Sequence, residues 1–401
     1  PLKIKNTFAP EDQGTLITAS ADEGMPIKGI SSIDKIALAS LSGSGMIGIP
    51  GTSARLFGAL SRAKVNIILI TQASSEHSIS FAIAPEDIDL AVDAVKEEFI
   101  FEIQTGKINS PRVETGLSVI ALVGEKMSGQ VNVSGKMFNT LGSNGVNLRA
   151  IAQGSSERNI SAVIEEKDVK KALNVLHENH FEGSNKVLNL FIVGVGNVGG
   201  TLVEQIKQQQ QILQENSNIV VRVTGLANSR KMFLDPQGID LDRWQEKVDV
   251  SNVVFDKDTL IDQISELNLR NAVFVDCTAN YDIASVYKKA LSNNINVVTA
   301  NKIACSSDYE LYQELKAICL KNNVKFLYET NVGAGLPVIG TINDLVHSGD
   351  RIKKIEATVS GSLNFIFNTY DGKNTFHDVV MQAKSEGYTE PDPRIDLSGV
   401  D

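Results

Sequence analysis

The chain has 401 residues, of which 42% are hydrophobic and 21% charged, and this allows roughly two to four domains with buried cores. Its net charge of −10 argues against a nucleic-acid-binding protein, because such proteins carry a basic surface. Its apolar runs fall short of the roughly 20 residues that cross a bilayer. The sequence opens without an apolar signal-peptide region, so we expect no secretion. The three cysteines form no CxxC pair, which fits a reducing compartment, and we expect a cytoplasmic protein.

An internal repeat fills the first part of the chain. A shift of 81 residues aligns residues 36–95 with a later segment without gaps, and it places Phe57 on Phe138 and Gln72 on Gln153. Two copies do not make a solenoid, so we expect two copies of one small domain.

Each copy predicts the element order β-α-β-β-α. In the first copy we expect strands at 36–41, 66–71 and 78–83, and helices at 52–64, with Ser53 as its cap, and at 87–99. With a further strand after the second helix, this order predicts a ferredoxin-like sandwich. The segment 104–114 is predicted to join the two copies.

After residue 185 the pattern changes to longer alternating units. We expect strands at 187–193, 219–226, 272–276, 296–300 and 324–328, with helices between them that include 283–293 and 309–322. The glutamine-rich run 205–214 is expected to extend the first of these helices. Strands that alternate with helices at this spacing predict a parallel, doubly wound sheet.

The strongest motif is the Gly-x-Gly-x-x-Gly sequence at Gly194, Gly196 and Gly199. It directly follows a strand and opens a helix, where such a motif binds the pyrophosphate of a dinucleotide. A tight turn without a ligand is the alternative. Near the end of the next strand, Arg230 and Lys231 stand where NAD sites carry an acidic residue, which favours NADP, unless both are simply solvated.

Three further segments carry polar groups that could serve a site. Lys302 lies just past the carboxyl end of a strand and could contact substrate or cofactor, or be an ordinary surface lysine. The glycine-rich segment 329–337 could hold a hard cation through oxygen ligands, or form a hinge between domains. The proline-stiffened segment 386–401 could recognise a polar substrate, or be a solvated charged surface.

The motifs of the second part, in this order, resemble homoserine dehydrogenase. They are the glycine motif and the segments 277–280, 299–302, 329–337, 360–364 and 387–393. The repeat, with Ile70–Glu76 and Ile151–Glu157, resembles the tandem ACT region of bifunctional aspartokinase–homoserine dehydrogenases. Residues 3–8 resemble the segment that leads into that region, so the resemblance covers essentially the whole chain.

This resemblance implies roles for individual residues. Dinucleotide contacts are implied for Gly194, Gly196, Asn197, Val198, Gly199, Thr278 and Ala279, with Lys302 beside the nicotinamide and the substrate. Glu390 is implied to bind the substrate amino group, with Asp396 and Asp401 in the same pocket. A sodium ion is implied at Glu329 and the carbonyl groups of Val332, Ala334 and Leu336. Threonine sensing is implied for Gln72 and Gln153, which could instead cap their turns.

We therefore expect a multidomain protein of the α/β and α+β classes. The predicted parts are a lead-in (1–34), two ferredoxin-like ACT domains (35–105 and 113–181), a Rossmann-type dinucleotide-binding domain (187–332) and the start of an α+β substrate domain (333–401). The expected reaction interconverts aspartate semialdehyde and homoserine with NADP, or alternatively NAD. Lys302 is the expected acid. We expect threonine as the allosteric effector and a homo-oligomeric assembly.

The resemblance also implies neighbouring segments. An aspartokinase domain would precede residue 1, and the family's catalytic lysine would follow Asp401 by a few residues. We therefore expect a part of a longer protein, whose full length also has aspartate kinase activity, and we expect no turnover by this part alone. Two rival functions remain: an amino-acid-sensing region without turnover, and a structural module that dimerises through ACT sheet edges.

Overall fold

A computed structural model describes residues 2–5, 7–8, 10–11, 14–17, 27–125, 127, 130–154, 158–181, 186–389 and 392–399. The chain divides into two compact units, Pro1–Ser184 and Asn185–Asp401. Among the described residues, no helix combines the length and apolar character needed to cross a membrane.

The first unit is built on an antiparallel sheet. Its strands are β1 (Leu2–Ile4), β2 (Thr15–Ile17), β3 (Ile27–Ser42), β4 (Ile67–Gln72), β5 (Ser78–Ile83), β6 (Arg112–Gly124), β7 (Ala150–Ala152) and β8 (Asn159–Glu165). Its helices are α1 (Thr52–Arg62), α2 (Ile88–Glu98), α3 (Ile100–Gln104), α4 (Val133–Ser143) and α5 (Val169–His180). Strands β1 and β2 pair with each other, and the others form one sheet in the order β4-β5-β3-β6-β8-β7.

The two repeated copies exchange strands through β3 and β6. Residues 37–42 of β3 pair with β5 of the first copy, whereas residues 27–33 pair with the second half of β6. Residues 117–123 of β6 pair with β8 of the second copy, whereas residues 112–114 pair with the end of β3. Each copy therefore completes its own part of the sheet with a strand segment from the other copy.

Both faces of this sheet are packed. Helices α1 and α2 cover the outer face of the first copy, around Leu56 and Phe81, and α4 and α5 cover that of the second copy, around Met137 and Leu176. A third cluster joins the inner faces of both copies: Ile36, Leu38, Leu69, Ala82, Leu117, Val119 and Val163. Some Cα atoms of the edge strands β4 and β7 come within 8 Å of each other, so the sheet curls around this inner cluster.

The elements differ from the sequence-based expectations at several boundaries. Strand β3 begins at Ile27, within the segment assigned to the lead-in, because its first half pairs with β6. Ser53 is not the cap of α1, which was a wrong prediction. The capping position is Gly51, whose φ of 90° is left-handed and favours glycine. Helix α1 also ends earlier than predicted, at Arg62.

The second unit contains a six-stranded, mostly parallel sheet. Its strands are β9 (Lys186–Val193), β10 (Ile219–Ala227), β11 (Met232–Leu234), β12 (Ala272–Asp276), β13 (Asn296–Thr299) and β14 (Phe326–Leu327). The order is β11-β10-β9-β12-β13-β14, with β11 antiparallel to β10. The chain reverses direction across the sheet between β9 and β12, and ligands of such sheets bind at this switch point, beyond the carboxyl ends of the strands. The predicted doubly wound sheet is confirmed.

Helices cover both faces of this sheet and continue beyond it. They are α6 (Asn197–Ser217), α7 (Trp244–Val250), α8 (Lys257–Glu266), α9 (Tyr281–Ala284), α10 (Tyr287–Ser292), α11 (Ile303–Ser306), α12 (Tyr309–Asn322), α13 (Val338–His347), α14 (Gly361–Thr369), α15 (Phe376–Ser385) and α16 (Pro393–Leu397). The single helix expected at 283–293 is instead the pair α9 and α10. Among the described residues from 333 onward, the structure has helices and no strands. The segment 351–360, which is mostly exposed, belongs to neither helix nor sheet.

Candidate functional site

Each of the three glycines after β9 has a separate structural role. Gly194 has a φ of 91°, and a Cβ there would lie 2.6 Å from Thr278 Cγ2. A Cβ on Gly199 would lie 2.1 Å from the carbonyl oxygen of Gly194, so this glycine allows helix α6 to pack closely on the turn. Around Gly196, by contrast, no described atom lies within 4 Å of an added Cβ. The turn is thus closed at its first and third glycines, where a side chain has no room, and open at its second, where a side chain would meet no described atom.

This open position faces the start of a long helix. Gly196 is the N-cap of α6, and Asn197 and Val198 in its first turn are exposed. The first N–H groups of a helix have no partner within it and carry a partial positive charge. The geometry therefore offers backbone donors to an anion such as a pyrophosphate.

A buried polar cluster lies at the carboxyl ends of the neighbouring strands. The Asp276 carboxylate, fully buried, accepts hydrogen bonds from Thr278 N at 2.7 Å, Tyr287 Oη at 2.5 Å and Asn301 Nδ2 at 3.0 Å. The Tyr287 hydroxyl also lies 2.7 Å from Thr299 Oγ1. Burial raises the pKa of Asp276, while the hydrogen bonds from Tyr287 and Thr278 act in the opposite direction.

This cluster ties together two loops that sequence reasoning assigned to the site. Asn301 Nδ2 also donates to the carbonyl oxygen of Asn280 at 2.9 Å, and Asn301 Oδ1 accepts the N–H of Ile303 at 3.1 Å. Thr278 and Ala279 are therefore held next to Asn301 and to the half-buried Lys302, at the sheet edge that carries the glycine turn. Asp276, Tyr287 and Asn301 were not singled out from sequence, although an aspartate that ends an apolar strand is a usable signal.

The two cations near the end of β10 have different surroundings. Lys231 Nζ donates to the carbonyl oxygen of Asp249, at the end of α7. The side chain of Arg230 is exposed, and the described part of the chain offers it no hydrogen-bonding partner. Of the two, Arg230 is therefore the one available to a ligand.

Both carboxylate oxygens of Glu329 face the N-terminus of α13. They accept the N–H groups of Ile339 and Gly340, each at 2.8 Å. The loop between Glu329 and α13 turns through Gly333 and Ala334, whose left-handed φ values are 73° and 51°. Carboxylate and carbonyl oxygens suit a hard cation, and each Glu329 oxygen retains a second lone pair, so the residues fit a sodium ion.

Of the three acidic residues predicted for the substrate pocket, one is described. Asp396 is buried and accepts a hydrogen bond from Ser362 Oγ at 2.7 Å, which links α16 to α14. Glu390 and Asp401 lie outside the described residues. Within those residues, no group of three or more histidine, cysteine, aspartate or glutamate side chains could hold a metal ion.

In the first unit, Gln72 and Gln153 line the same cavity. It has a volume of about 840 Å³ and lies where the edge strands β4 and β7 approach each other. Its described lining residues include no charged side chain. Gln72 also lines a cavity of about 460 Å³ beside the loop before α1, where Glu76 Oε2 accepts the N–H of Gly48 at 2.8 Å.

Three family models match the chain. The ACT domain matches residues 40–99 and 120–180, the homoserine dehydrogenase NAD binding domain matches 194–329, and homoserine dehydrogenase matches 337–401. These matches agree with the strand-exchanged repeat of the first unit and the doubly wound sheet of the second.

Relatives match along the whole chain. A chloroplastic bifunctional aspartokinase/homoserine dehydrogenase 1 of Zea mays is 40% identical, with 100% of this chain and 44% of that protein covered. A bifunctional aspartokinase/homoserine dehydrogenase of Haemophilus influenzae is 39% identical, with 100% and 49% covered. A solved hyperthermophilic archaeal homoserine dehydrogenase in complex with NADPH is 28% identical, with 53% of this chain and 66% of that one covered, at a TM-score of 0.46. The chain thus spans a little under half the length of these two bifunctional relatives.

Proposed function

We propose that this chain serves the NADP-dependent interconversion of aspartate semialdehyde and homoserine, because it matches ACT and homoserine dehydrogenase family models and is similar over its whole length to bifunctional aspartokinase–homoserine dehydrogenases. The observation that carries the proposal is the glycine turn, which is closed at Gly194 and Gly199 and open at Gly196. It lies at the switch point of a doubly wound sheet, where dinucleotides bind. The aspartate kinase activity of such relatives is proposed for the full-length protein.

The residues of this chain would bind and orient the reactants. The N–H groups at the start of α6 would hold the pyrophosphate, and the loop of Thr278 and Ala279, fixed by Asp276, would border the dinucleotide. When bound, the nicotinamide supplies or accepts the hydride. Lys302 would hold a proton near the substrate oxygen and release it as the aldehyde is reduced.

The proposed substrate contacts lie in the last part of the chain. Glu390 would bind the amino group, since an ammonium facing a carboxylate forms charge-assisted hydrogen bonds. Asp401 would line the same pocket. Asp396 already accepts a hydrogen bond from Ser362, so its proposed contribution includes positioning α16.

A sodium ion is proposed at the loop that follows the sheet. Glu329 and the carbonyl groups of Val332, Ala334 and Leu336 would hold it. The carbonyl oxygen of Leu336 already accepts the N–H of Val338 at 2.9 Å and would use its second lone pair. The ion would fix the connection between the sheet and α13, next to the Glu329 cap.

The first unit is proposed to bind threonine as an effector through Gln72 and Gln153. A glutamine amide has donors and an acceptor for the hydroxyl and carboxylate groups of an amino acid. The cavity beside α1 supports this for Gln72, since Glu76 there offers a carboxylate to an ammonium group. A homo-oligomeric assembly and a cytoplasmic location are further proposals, the latter supported by three unpaired cysteines.

The test is turnover by the full-length protein. We expect homoserine-dependent reduction of NADP, inhibited by threonine. Threonine binding by a protein that neither binds a dinucleotide nor turns over homoserine would favour a purely sensory function instead. Dimerisation with neither activity would favour a structural module.

A further inference from the structure

The turn between β10 and β11 holds one amide side chain in a fixed orientation. Asn228 Oδ1 accepts the N–H groups of Arg230 and Lys231, both at 2.8 Å. The N–H of Asn228 donates to the carbonyl oxygen of Lys231 at 3.0 Å, which closes the turn. Because Oδ1 is bound inside the turn, the Nδ2 group of the same planar amide must point away from it.

The position of this turn is fixed relative to the glycine turn. The carbonyl oxygen of Ala227 accepts the N–H groups of Gly194 at 2.9 Å and Val195 at 3.4 Å. Asn228 is the next residue along the chain. NAD sites carry an aspartate or glutamate at this end of the second strand, where it accepts a hydrogen bond from the ribose 2′-hydroxyl.

Two donors therefore lie at this position, and none of the turn residues 228–231 has an acidic side chain. The Asn228 Nδ2 group and the Arg230 guanidinium are both without a hydrogen-bonding partner within the described part of the chain. An amide N–H₂ group and a guanidinium together suit a phosphate monoester, which only accepts hydrogen bonds at neutral pH.

We propose that Asn228 is a specificity-determining residue that donates through Nδ2 to the 2′-phosphate of NADP beside Arg230. This proposal rests on the dinucleotide-binding function proposed above. An aspartate at this position would accept the same two backbone N–H groups and keep the turn. It would replace the outward donor by a negatively charged oxygen that repels the phosphate and accepts from a 2′-hydroxyl.

The experiment compares the dissociation constants of NADPH and NADH for the 401-residue chain and its variants by calorimetry. Asn228→Asp should weaken NADPH binding about 10- to 100-fold, as expected for losing one charge-assisted hydrogen bond, and should leave NADH binding unchanged or tighter. Asn218→Asp is the matched control. It adds the same charge at the opposite edge of the sheet, where the Asn218 carbonyl oxygen accepts the N–H of Lys186. This control variant should change neither the NADPH nor the NADH dissociation constant.

A second variant keeps the test valid if Asn228→Asp does not fold. Asn228→Ser removes the amide donor without adding charge, and it should weaken NADPH binding but not NADH binding. If the ratio of the NADPH and NADH dissociation constants in the folded Asp or Ser variant stays within twofold of wild type, the proposed role of Asn228 is overturned. The proposed dinucleotide binding is not affected by that result. A wild-type chain that binds neither dinucleotide would overturn the proposed cofactor function as well.

Discussion

Replacement of Tyr287 by phenylalanine tests the buried cluster around Asp276. The ring is fully buried, with its centroid 6.1 Å from that of Phe274 and 5.8 Å from that of Phe326, so phenylalanine keeps this packing. The variant loses the 2.5 Å hydrogen bond to the Asp276 carboxylate. A hydrogen bond to a charged group contributes about 1.5–3 kcal/mol, and we expect this reduction in the free energy of unfolding at a pH where Asp276 is charged.

The loss should depend on pH with a defined sign. Burial raises the pKa of Asp276 above its ordinary value, so the folded protein binds this proton more tightly than the unfolded chain does. The free energy of unfolding therefore falls as the pH rises from that ordinary value through the folded pKa. Without the Tyr287 donor the pKa rises further. The difference in the free energy of unfolding between wild type and Tyr287→Phe should then be largest where Asp276 is charged and should shrink at acidic pH.

The assay is urea unfolding between about pH 4 and pH 8, followed by tryptophan fluorescence. Trp244 is the single tryptophan of the chain and is buried in the second unit, in a cluster that includes Val275 beside Asp276, so its signal reports on the unfolding of this unit. Tyr312→Phe is the matched control, because its hydroxyl lies 2.8 Å from that of Tyr328, a neutral partner. The reasoning would be refuted if the deficit of Tyr287→Phe were as independent of pH as that of Tyr312→Phe.

Four further variants test the proposed sites. Gly196→Val should abolish NADPH binding, since an added side chain meets no described atom of the chain and would instead fill the space of the pyrophosphate; unchanged affinity of the folded variant by calorimetry would exclude the pyrophosphate site. Glu390→Gln in the full-length protein should raise KM for homoserine about tenfold or more and leave NADPH affinity nearly intact, whereas a fall in NADPH affinity would assign the loop to the dinucleotide. Gln72→Ala and Gln153→Ala should each shift threonine inhibition to higher concentrations at an unchanged uninhibited rate, and inhibition curves that superimpose on wild type would remove both from the effector site.

Much of the second unit could be predicted from sequence because its elements follow simple patterns. Strand β12 and helix α12 have the predicted bounds, since an apolar run and a helical repeat each stand between clear boundaries. The pair α9 and α10 was not predicted, because both helices fit one helical pattern and the break at residues 285–286 has no proline or glycine.

The first unit was harder to predict because pairing partners decide its strands. Residues 27–33 include Ser31 and Ser32, so they lack the apolar alternation of a strand, and they are ordered by β6, far along the chain. The candidate site likewise depends in part on contacts between residues that are far apart along the chain. Gly194–Gly199 is a local signal, but the meeting of Asp276, Tyr287 and Asn301 depends on tertiary contacts that no local spacing shows.

The exchange of strand segments between β3 and β6 constrains how this tandem repeat can change during evolution. A deletion of the second copy would remove residues 112–117, which complete the sheet of the first copy, and would leave residues 27–33 without a partner. The remaining copy would expose an unpaired strand edge, and such edges promote aggregation. The duplicated pair is therefore inherited as one folding module: it can diverge in its two cavities, but it cannot revert to a single copy by simple loss.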